Sequence, residues 1–181
     1  MKLVTNKSDR LFLVGLMGVG KTTLGKTLAK KLGLQFIDCD QELERRTCAS
    51  VSLIFDVEGE TGFRDRESRL LDELTAQPGL LLATGGGAVL RSENRDYLKQ
   101  RGTVIHLDAD LELLTQRTAR GRNRPLLEGA NPEQMLAKLK EERDPLYHQV
   151  ADVCVCVDKG NSRHTVRQAL TALRNKGYIT D

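Results

Sequence analysis

The residues best suited to chemistry lie near the amino terminus, at positions 15–22, which read GLMGVGKT. A glycine, four residues and then glycine, lysine and threonine form the phosphate-loop pattern. Its glycines let successive backbone N–H groups point inward, and the helix that follows adds partial positive charge at its N-terminus. Lys21 can reach the terminal phosphates, and the Thr22 hydroxyl can ligate Mg²⁺. The pattern predicts binding of a nucleoside triphosphate with Mg²⁺.

The flanking segments are those that such a loop needs. Residues 11–14 (LFLV) are a short apolar run, typical of a buried strand, and residues 23–32 carry apolar side chains at the spacing of an amphipathic helix. A glycine-rich turn with a chance lysine is the alternative, and this context disfavours it. The predicted nucleotide-binding residues are Gly18, Val19, Gly20, Lys21, Thr22 and Thr23.

Short apolar runs alternate with helical segments along the rest of the chain. We predict strands at 11–14, 35–37, 80–83, 103–107 and 152–157, and helices at 23–32, 41–46, 51–57, 63–74, 93–100, 111–118, 133–143 and 164–175. No internal repeat is present. The pattern predicts a single α/β domain of three layers, in which helices flank a five-stranded parallel sheet. Ligands of such sheets gather at the carboxyl ends of the strands.

Composition limits the class of partner. The 181 residues include 28 basic and 25 acidic side chains, a net charge of +3, and no tryptophan. This balance disfavours nucleic acid as a partner. No apolar run approaches the ~20 residues of a membrane span, and the first residues lack the apolar core of a signal peptide. We therefore expect a cytoplasmic protein without a membrane partner, and a monomer, because no long apolar surface is evident.

The four cysteines are Cys39, Cys48, Cys154 and Cys156, and none forms a C-x-x-C pair. We expect small buried hydrophobic residues in a reducing compartment, in preference to a metal or redox role. Cys154 and Cys156 are two apart in a predicted strand and should share one face. Cys39 lies between two aspartates.

Those aspartates, Asp38 and Asp40, follow the second predicted strand. One carboxylate can hold a Mg²⁺-bound water, and the other can orient or deprotonate an acceptor hydroxyl. The alternative is structural, since Asp40 precedes a predicted helix and could be its N-cap. On the residues alone the two interpretations stay open.

Further candidates are spread along the chain. Gly85, Gly86 and Gly87 follow an apolar strand, where a backbone without Cβ atoms can approach a ligand closely, although a plain turn is possible. Arg64 could be a solvated helix residue paired with its acidic neighbours. Arg143 lies near the end of a helix that we expect to stop at Pro145, and its guanidinium could grip a carboxylate as a bidentate fork.

Residues 117–127 (RTARGRNRPLL) carry four arginines in eight positions. They could be a solvated charge run or could bind a nucleic-acid backbone, which the near-neutral total disfavours. In a phosphate-loop protein, a lid that closes over the triphosphate is the sharper hypothesis, because it supplies positive charge and excludes water.

Taken together, these motifs resemble the shikimate kinase family. The phosphate loop, FIDCD at 36–40, Phe63-Arg64 with Glu67, the three glycines, RPLL at 124–127 and RDPLY at 143–147 occur in that family's order and spacing across nearly the whole chain. The resemblance implies a fold like that of nucleoside monophosphate kinases, with strand order 2-3-1-4-5. It also implies transfer of the ATP γ-phosphate to the 3-hydroxyl of shikimate, in chorismate and aromatic amino-acid biosynthesis.

The resemblance also implies roles for individual residues. Thr22 would ligate Mg²⁺, Asp38 would hold the metal through water, and Lys21 would act on the transferring phosphate. In the lid, at about 118–130, Arg124 would reach the phosphates, while Arg117 would lie against adenine. In the acceptor region, at about 39–66 and beyond, Asp40 would bind hydroxyls and act as base or orienter. The residues that remain would hold the carboxylate or border the ring: Arg64, Gly85, Gly86, Gly87 and Arg143.

Two positions fit less easily. The third strand ends in glycines and lacks the aspartate of an ordinary Walker B strand, so Asp38 or Asp108 must substitute. We favour Asp38, because Asp108 is better placed to cap the helix that begins near residue 111. No residue at 158–163 is assigned to adenine. Other interpretations are a kinase for another acceptor such as gluconate or a nucleoside monophosphate, a non-catalytic nucleotide-sensing module, and a nucleic-acid binder.

Overall fold

The computed structural model describes residues 2–3, 9–119, 131–158 and 162–180. Strands and helices alternate along them, as the sequence predicts. The strands are β1 (Lys2–Leu3), β2 (Arg10–Val14), β3 (Gln35–Asp38), β4 (Leu80–Ala83), β5 (Thr103–Asp108), β6 (Val153–Cys156) and β7 (Ile179–Thr180). The helices are α1 (Lys21–Leu32), α2 (Cys39–Thr47), α3 (Val51–Ala76), α4 (Ser92–Arg101), α5 (Leu111–Ala119), α6 (Pro132–Val150) and α7 (Ser162–Asn175), with a short 3-10 helix at Ala88–Leu90.

Five strands form one parallel sheet in the order β3-β4-β2-β5-β6. Counted in chain order among themselves, these strands run 2-3-1-4-5, which confirms the expected topology. Strand β4 is apolar and buried at every residue, and β2 is apolar and buried after Arg10, as a sheet covered on both faces requires. Helices α1 and α7 pack against each other and on the sheet, and α4 and α6 pack on β5. Of the helices described, none is long and apolar enough to cross a membrane.

Two helices differ from the prediction. The segments expected at 51–57 and 63–74 join into α3, and the only non-helical residue between them is Gly59, at φ 70° and ψ 180°. Helix α6 does not stop at Pro145 but runs on to Val150. A proline inside a helix removes one backbone hydrogen bond. Here Tyr147 and Val150 continue the buried face of α6 beyond it, and we attribute the persistence of the helix to this packing.

The expectation of four buried cysteines is wrong for three of them. Cys39 is buried, whereas Cys48, Cys154 and Cys156 are exposed. Strand β6 lies at the sheet edge, and its valines turn inward while Cys154 and Cys156 share the outward face. The prediction that Cys154 and Cys156 share one face of the strand is therefore confirmed, and the prediction that this face is buried is wrong. The sequence analysis also missed the antiparallel pair β1–β7, which joins the two ends of the chain.

Candidate active site

The phosphate loop links β2 to the N-terminus of α1. Gly15, Gly18 and Gly20 have φ values of 140°, 82° and 104°, in the region that favours glycine. A Cβ at Gly15 would collide with the carbonyl of Leu107 on β5. Gly20 is the N-cap of α1 and offers no side-chain cap, and the first turn of the helix holds no acidic residue. The loop thus leaves a helix N-terminus suited to an anion.

Lys21 and Thr22 begin α1 and face the mouth of this loop. The Lys21 ammonium donates to the carbonyls of Gly15 at 2.6 Å and Leu16 at 3.0 Å. The Thr22 hydroxyl donates to Oδ2 of Asp38 at 2.6 Å. The predicted metal ligands, Thr22 and Asp38, are therefore adjacent, and both are oxygen donors of the kind that Mg²⁺ prefers.

Asp38, and not Asp40, is the N-cap of α2. Oδ1 of Asp38 accepts from the backbone N–H groups of Asp40 at 3.1 Å and Gln41 at 3.4 Å. The alternative in which Asp40 caps this helix is therefore wrong. Asp40 lies in the first turn, and its carboxylate is left to face the pocket. Oδ1 of Asp38 therefore caps α2, while Oδ2 accepts the hydrogen bond from Thr22.

The Asp40 side chain is exposed to the cavity, and its carboxylate lies beside Gly85 in the cavity wall. Desolvation raises its pKa above the ordinary value of 3.8, and the negative charge of Asp38 acts in the same direction. The cationic side chains of Lys21 and Arg64 oppose this rise. A carboxylate with a raised pKa between two cations is a reasonable acceptor for a hydroxyl proton.

Two of the three glycines after β4 make room for a charged side chain, and the third packs against the phosphate loop. A Cβ on Gly87 would collide with the guanidinium of Arg64, and a Cβ on Gly85 would collide with Glu67 and lie 3.2 Å from Oδ1 of Asp40. A Cβ on Gly86 would lie 3.4 Å from the backbone nitrogen of Met17 in the phosphate loop. The glycines therefore form a strip against which donor and acceptor groups both pack, and the plain-turn alternative is not what the structure has.

Arg64 is buried on α3 and held by two carboxylates. It donates to Glu67 at 2.7 Å and to Glu60 at 3.1 Å. Glu67 is itself only 2% exposed, and burial raises its pKa while the charge of Arg64 opposes that rise. The solvated-surface alternative for Arg64 is therefore wrong. Glu67 was only part of a motif in the sequence and had no assigned role, since its burial comes from contacts outside its own helix.

Arg143 on α6 is the second buried arginine, with 3% of its surface exposed. Its Nε and Nη1 have no hydrogen-bond partner among the described residues. Nη1 lies 3.8 Å from the position of a Cβ on Gly86. Buried charged donors are almost always paired, and leaving them unpaired is costly. These two N–H groups are therefore suited to an anionic ligand.

Tyr147 fixes this part of α6. It is fully buried, and its hydroxyl donates to the carbonyl of Gly86. Burial raises the pKa of Tyr147, so its hydroxyl remains protonated. It lies one helical turn beyond Arg143, which ties the arginine to the glycine strip. The sequence placed Tyr147 in a motif but did not indicate what its hydroxyl binds.

The remaining predicted residues lie at the edge of the site. Nη1 of Arg117 on α5 donates to the carbonyl of Val19 at 2.9 Å, which braces the phosphate loop. Arg124 and most of the proposed lid fall outside the described residues, as do residues 159–161 of the segment left unassigned. Asp108 is paired with Lys140 and accepts from the backbone of Ala109, so its predicted role as a helix cap is not what the structure has.

One cavity of about 660 Å³ gathers these groups. All the predicted site residues that the structure describes line it, from the phosphate loop, the second strand end, the glycine strip and the two buried arginines. A further wall of the cavity is formed by Glu44, Val51, Phe55 and Phe63, of which only Phe63 was part of a motif in the sequence. The cavity therefore combines the phosphate loop with two buried arginines, an arrangement that has room for two substrates.

Comparison with known proteins agrees with this arrangement. The family model described as "Shikimate kinase" matches residues 17–174. The chain belongs to the shikimate kinase family. A shikimate kinase of Psychrobacter arcticus is 52% identical over 165 residues, which cover 91% of this chain and 89% of that protein. A solved shikimate kinase from Acinetobacter baumannii, in complex with shikimate, has a TM-score of 0.91 at 47% identity, covering 94% and 96% of the two chains.

The fold is wider than the shikimate kinase family. A gluconokinase from Sinorhizobium meliloti has a TM-score of 0.66 at 19% identity, covering 95% of each chain. At that identity the likeness concerns the fold alone. The choice of acceptor must therefore be argued from the side chains of the pocket.

Proposed function

We propose that this protein transfers the γ-phosphate of ATP to the 3-hydroxyl of shikimate, forming ADP and shikimate 3-phosphate. The observation that carries the proposal concerns Arg143, whose buried Nε and Nη1 have no partner in the described part of the chain and lie in the same cavity as a phosphate loop. Such an arrangement suits an acceptor with one carboxylate. Family membership supports the same substrate.

On the acceptor side, Arg64 beside Gly87 and Arg143 beside Gly86 would hold the carboxylate together. Glu67 orients Arg64, and Tyr147 holds the Gly86 carbonyl, so the two guanidinium groups are fixed before the acceptor binds. Asp40 faces the same strip near Gly85 and would accept hydrogen bonds from ring hydroxyls. A rigid set of donors loses little entropy on binding.

On the donor side, residues 18–23 would surround the phosphates of ATP. Lys21 would exchange its bonds to the loop carbonyls for bonds to the β- and γ-phosphates, and Arg117 would border the nucleotide from α5. Arg124 would reach the phosphates from a lid at about 118–130. Thr22 and, through water, Asp38 would hold Mg²⁺, which neutralises charge on the phosphate oxygens when bound.

Asp40 would orient the attacking hydroxyl and accept its proton as the O–P bond forms. The pKa of Asp40 is raised, so it lies closer to neutral pH than the pKa of an ordinary aspartate does, and this favours proton transfer from the hydroxyl. The breaking bond leaves ADP, whose new negative charge lies beside Lys21 and the N-terminus of α1. Positioning and electrostatic stabilisation supply most of such catalysis.

An acceptor panel tests the proposal. ADP release is coupled to a reporter reaction and measured with shikimate, gluconate and a nucleoside monophosphate, each over a full concentration range. We expect kcat/KM for shikimate to exceed that of the other acceptors by at least about 100-fold. A nucleoside monophosphate has no carboxylate for the arginine fork, and gluconate carries its carboxylate on an open chain, so its hydroxyls are not held in the fixed positions of a ring. Equal turnover with gluconate, or ADP release that no acceptor stimulates, would refute it.

A further inference from the structure

A second group of reactive side chains lies outside the active-site cavity, where β5, β6 and α6 meet. One nitrogen of His106, one of His148 and Sγ of Cys154 all lie within 4.8 Å of one another. None of the three lines the active-site cavity. Phosphoryl transfer makes no use of them.

The fold itself brings the three together. Parallel pairing of β5 with β6 sets His106 beside Cys154, so their side chains emerge on the same face of the sheet. Helix α6 covers this face at β5, where His106 is buried, and leaves Cys154 on the edge strand exposed. His148 near the end of α6 reaches Cys154, with Nδ1 at 3.8 Å from Sγ. The rings of His106 and His148 meet edge to face, with centroids 5.0 Å apart.

The distance between Sγ of Cys154 and Nδ1 of His148 is close to that in a tetrahedral metal site, while the nitrogen of His106, within 4.8 Å of both, would move closer on binding. A sulfur and a nitrogen bound to one Zn²⁺ lie about 3.6 Å apart, given Zn–S near 2.3 Å and Zn–N near 2.0–2.1 Å. The observed 3.8 Å needs only a small adjustment. His148 and Cys154 are exposed, so an ion can enter from solvent and a water can complete the coordination.

His106 supplies a second, independent observation. It is 1% exposed, and its Nδ1 is buried without a hydrogen-bond partner among the described residues. Asp108 and Asp144 lie near the same ring and add negative charge, which Lys140 partly offsets.

We propose that His106, His148 and Cys154 form a second metal site, selective for Zn²⁺ and similar ions that prefer thiolate and imidazole. Mg²⁺ prefers oxygen ligands and would not compete. Binding releases the thiol proton of Cys154 to solvent and forms a metal–thiolate bond, with no change in oxidation state.

Cobalt provides the test, because Co²⁺ occupies zinc sites and a bound thiolate gives it a ligand-to-metal charge-transfer band in the near ultraviolet. The purified full chain, reduced and freed of metal, is titrated with Co²⁺ in excess Mg²⁺ and then with Zn²⁺. We expect the band to saturate at one equivalent and to be displaced by Zn²⁺. Cys154→Ser should abolish it, and His148→Ala should weaken Co²⁺ binding by more than about 100-fold, the upper end of the loss caused by removing an outer-shell partner.

Cys156→Ser is the matched control, since Cys156 lies two residues along the same face of β6 but outside the cluster. This variant should keep the band and the Co²⁺ affinity. Kinase activity and the thermal unfolding midpoint, measured for every variant, identify any that is misfolded. Absence of a thiolate band in the unmodified protein, its survival in Cys154→Ser, or its equal loss in Cys156→Ser would overturn the proposal.

Discussion

Replacing Arg143 by alanine should weaken acceptor binding far more than nucleotide binding. Its Nε and Nη1 are buried and find no partner among residues 9–119, 131–158 and 162–180, so a substrate carboxylate would receive two charged hydrogen bonds there. Each is worth about 1.5–3 kcal/mol, and water that enters the shortened side chain's space recovers part of the loss. A net loss of about 3 kcal/mol corresponds to an increase in shikimate KM of about 150-fold.

The assay is coupled ADP release for the acceptor, with nucleotide affinity measured separately by calorimetry without acceptor, so that closure of the site cannot link the two. Arg143→Lys keeps the charge but loses the bidentate fork, so its KM for shikimate should lie between that of the unmodified protein and that of Arg143→Ala. Arg66→Ala, at an exposed arginine of α3 paired with Glu58, is the control and should leave both affinities unchanged. Equal loss of nucleotide and acceptor affinity in Arg143→Ala, or a collapse of thermal stability, would refute the reasoning.

Three further predictions concern neighbouring groups. Asp38→Asn should keep the helix cap and thermal stability but raise the Mg²⁺ concentration for half-maximal activity, whereas Asp38→Ala should also lose about 1 kcal/mol of unfolding free energy. Gly87→Ala should displace Arg64 and raise shikimate KM more than Gly86→Ala, because only the former introduces a collision with the guanidinium. Asp40→Asn should lower kcat by about 10²–10⁴-fold and yet raise the thermal unfolding midpoint at neutral pH.

The stability gain in Asp40→Asn follows from the sign of the pKa shift. Because the folded-state pKa of Asp40 is raised, the folded protein holds its proton more tightly than the unfolded chain does. Stability therefore falls as pH rises from the ordinary value of 3.8 through the folded value, and asparagine carries no such penalty. For the same reason the acidic limb of the kcat/KM profile should lie above the range of an ordinary aspartate. An unfolding midpoint of Asp40→Asn that is unchanged or lower at neutral pH would contradict this account. Equal increases of the shikimate KM in Gly87→Ala and Gly86→Ala would contradict the role of Gly87, and an unaltered Mg²⁺ dependence of Asp38→Asn would contradict the role of Asp38.

The strands and the phosphate loop were predictable because their signals are local. Apolar runs of four or five residues bounded by glycine predict buried parallel strands, and the GxxxxGKT spacing identifies the loop between the first strand and its helix. The resemblance added the strand order, which no local pattern contains. Boundaries shifted by one to three residues at most elements, where capping and packing compete.

What the sequence could not provide was the environment of single side chains. Pro145 is a local stop signal, but burial of Tyr147 and Val150 sustains α6 beyond it. The alternation in β6 fixes that Cys154 and Cys156 share a face, but only the packing of the edge strand decides that the face is outward. Similarly, the sequence indicated Asp40 as the alternative N-cap, and only the backbone geometry shows that Asp38 caps the helix. These outcomes depend on contacts between distant segments.

The central claim is that a carboxylate-bearing acceptor is held by Arg64 and Arg143 while Asp40 and the phosphate loop carry out the transfer. It is tested most directly by comparing shikimate with its neutral carboxamide, which keeps every hydroxyl. We predict ATP-dependent formation of shikimate 3-phosphate, followed by ³¹P NMR, and a kcat/KM at least about 100-fold lower for the carboxamide, as loss of a buried charge pair implies. Comparable kcat/KM values for the acid and the carboxamide, or no shikimate-dependent turnover, would contradict it.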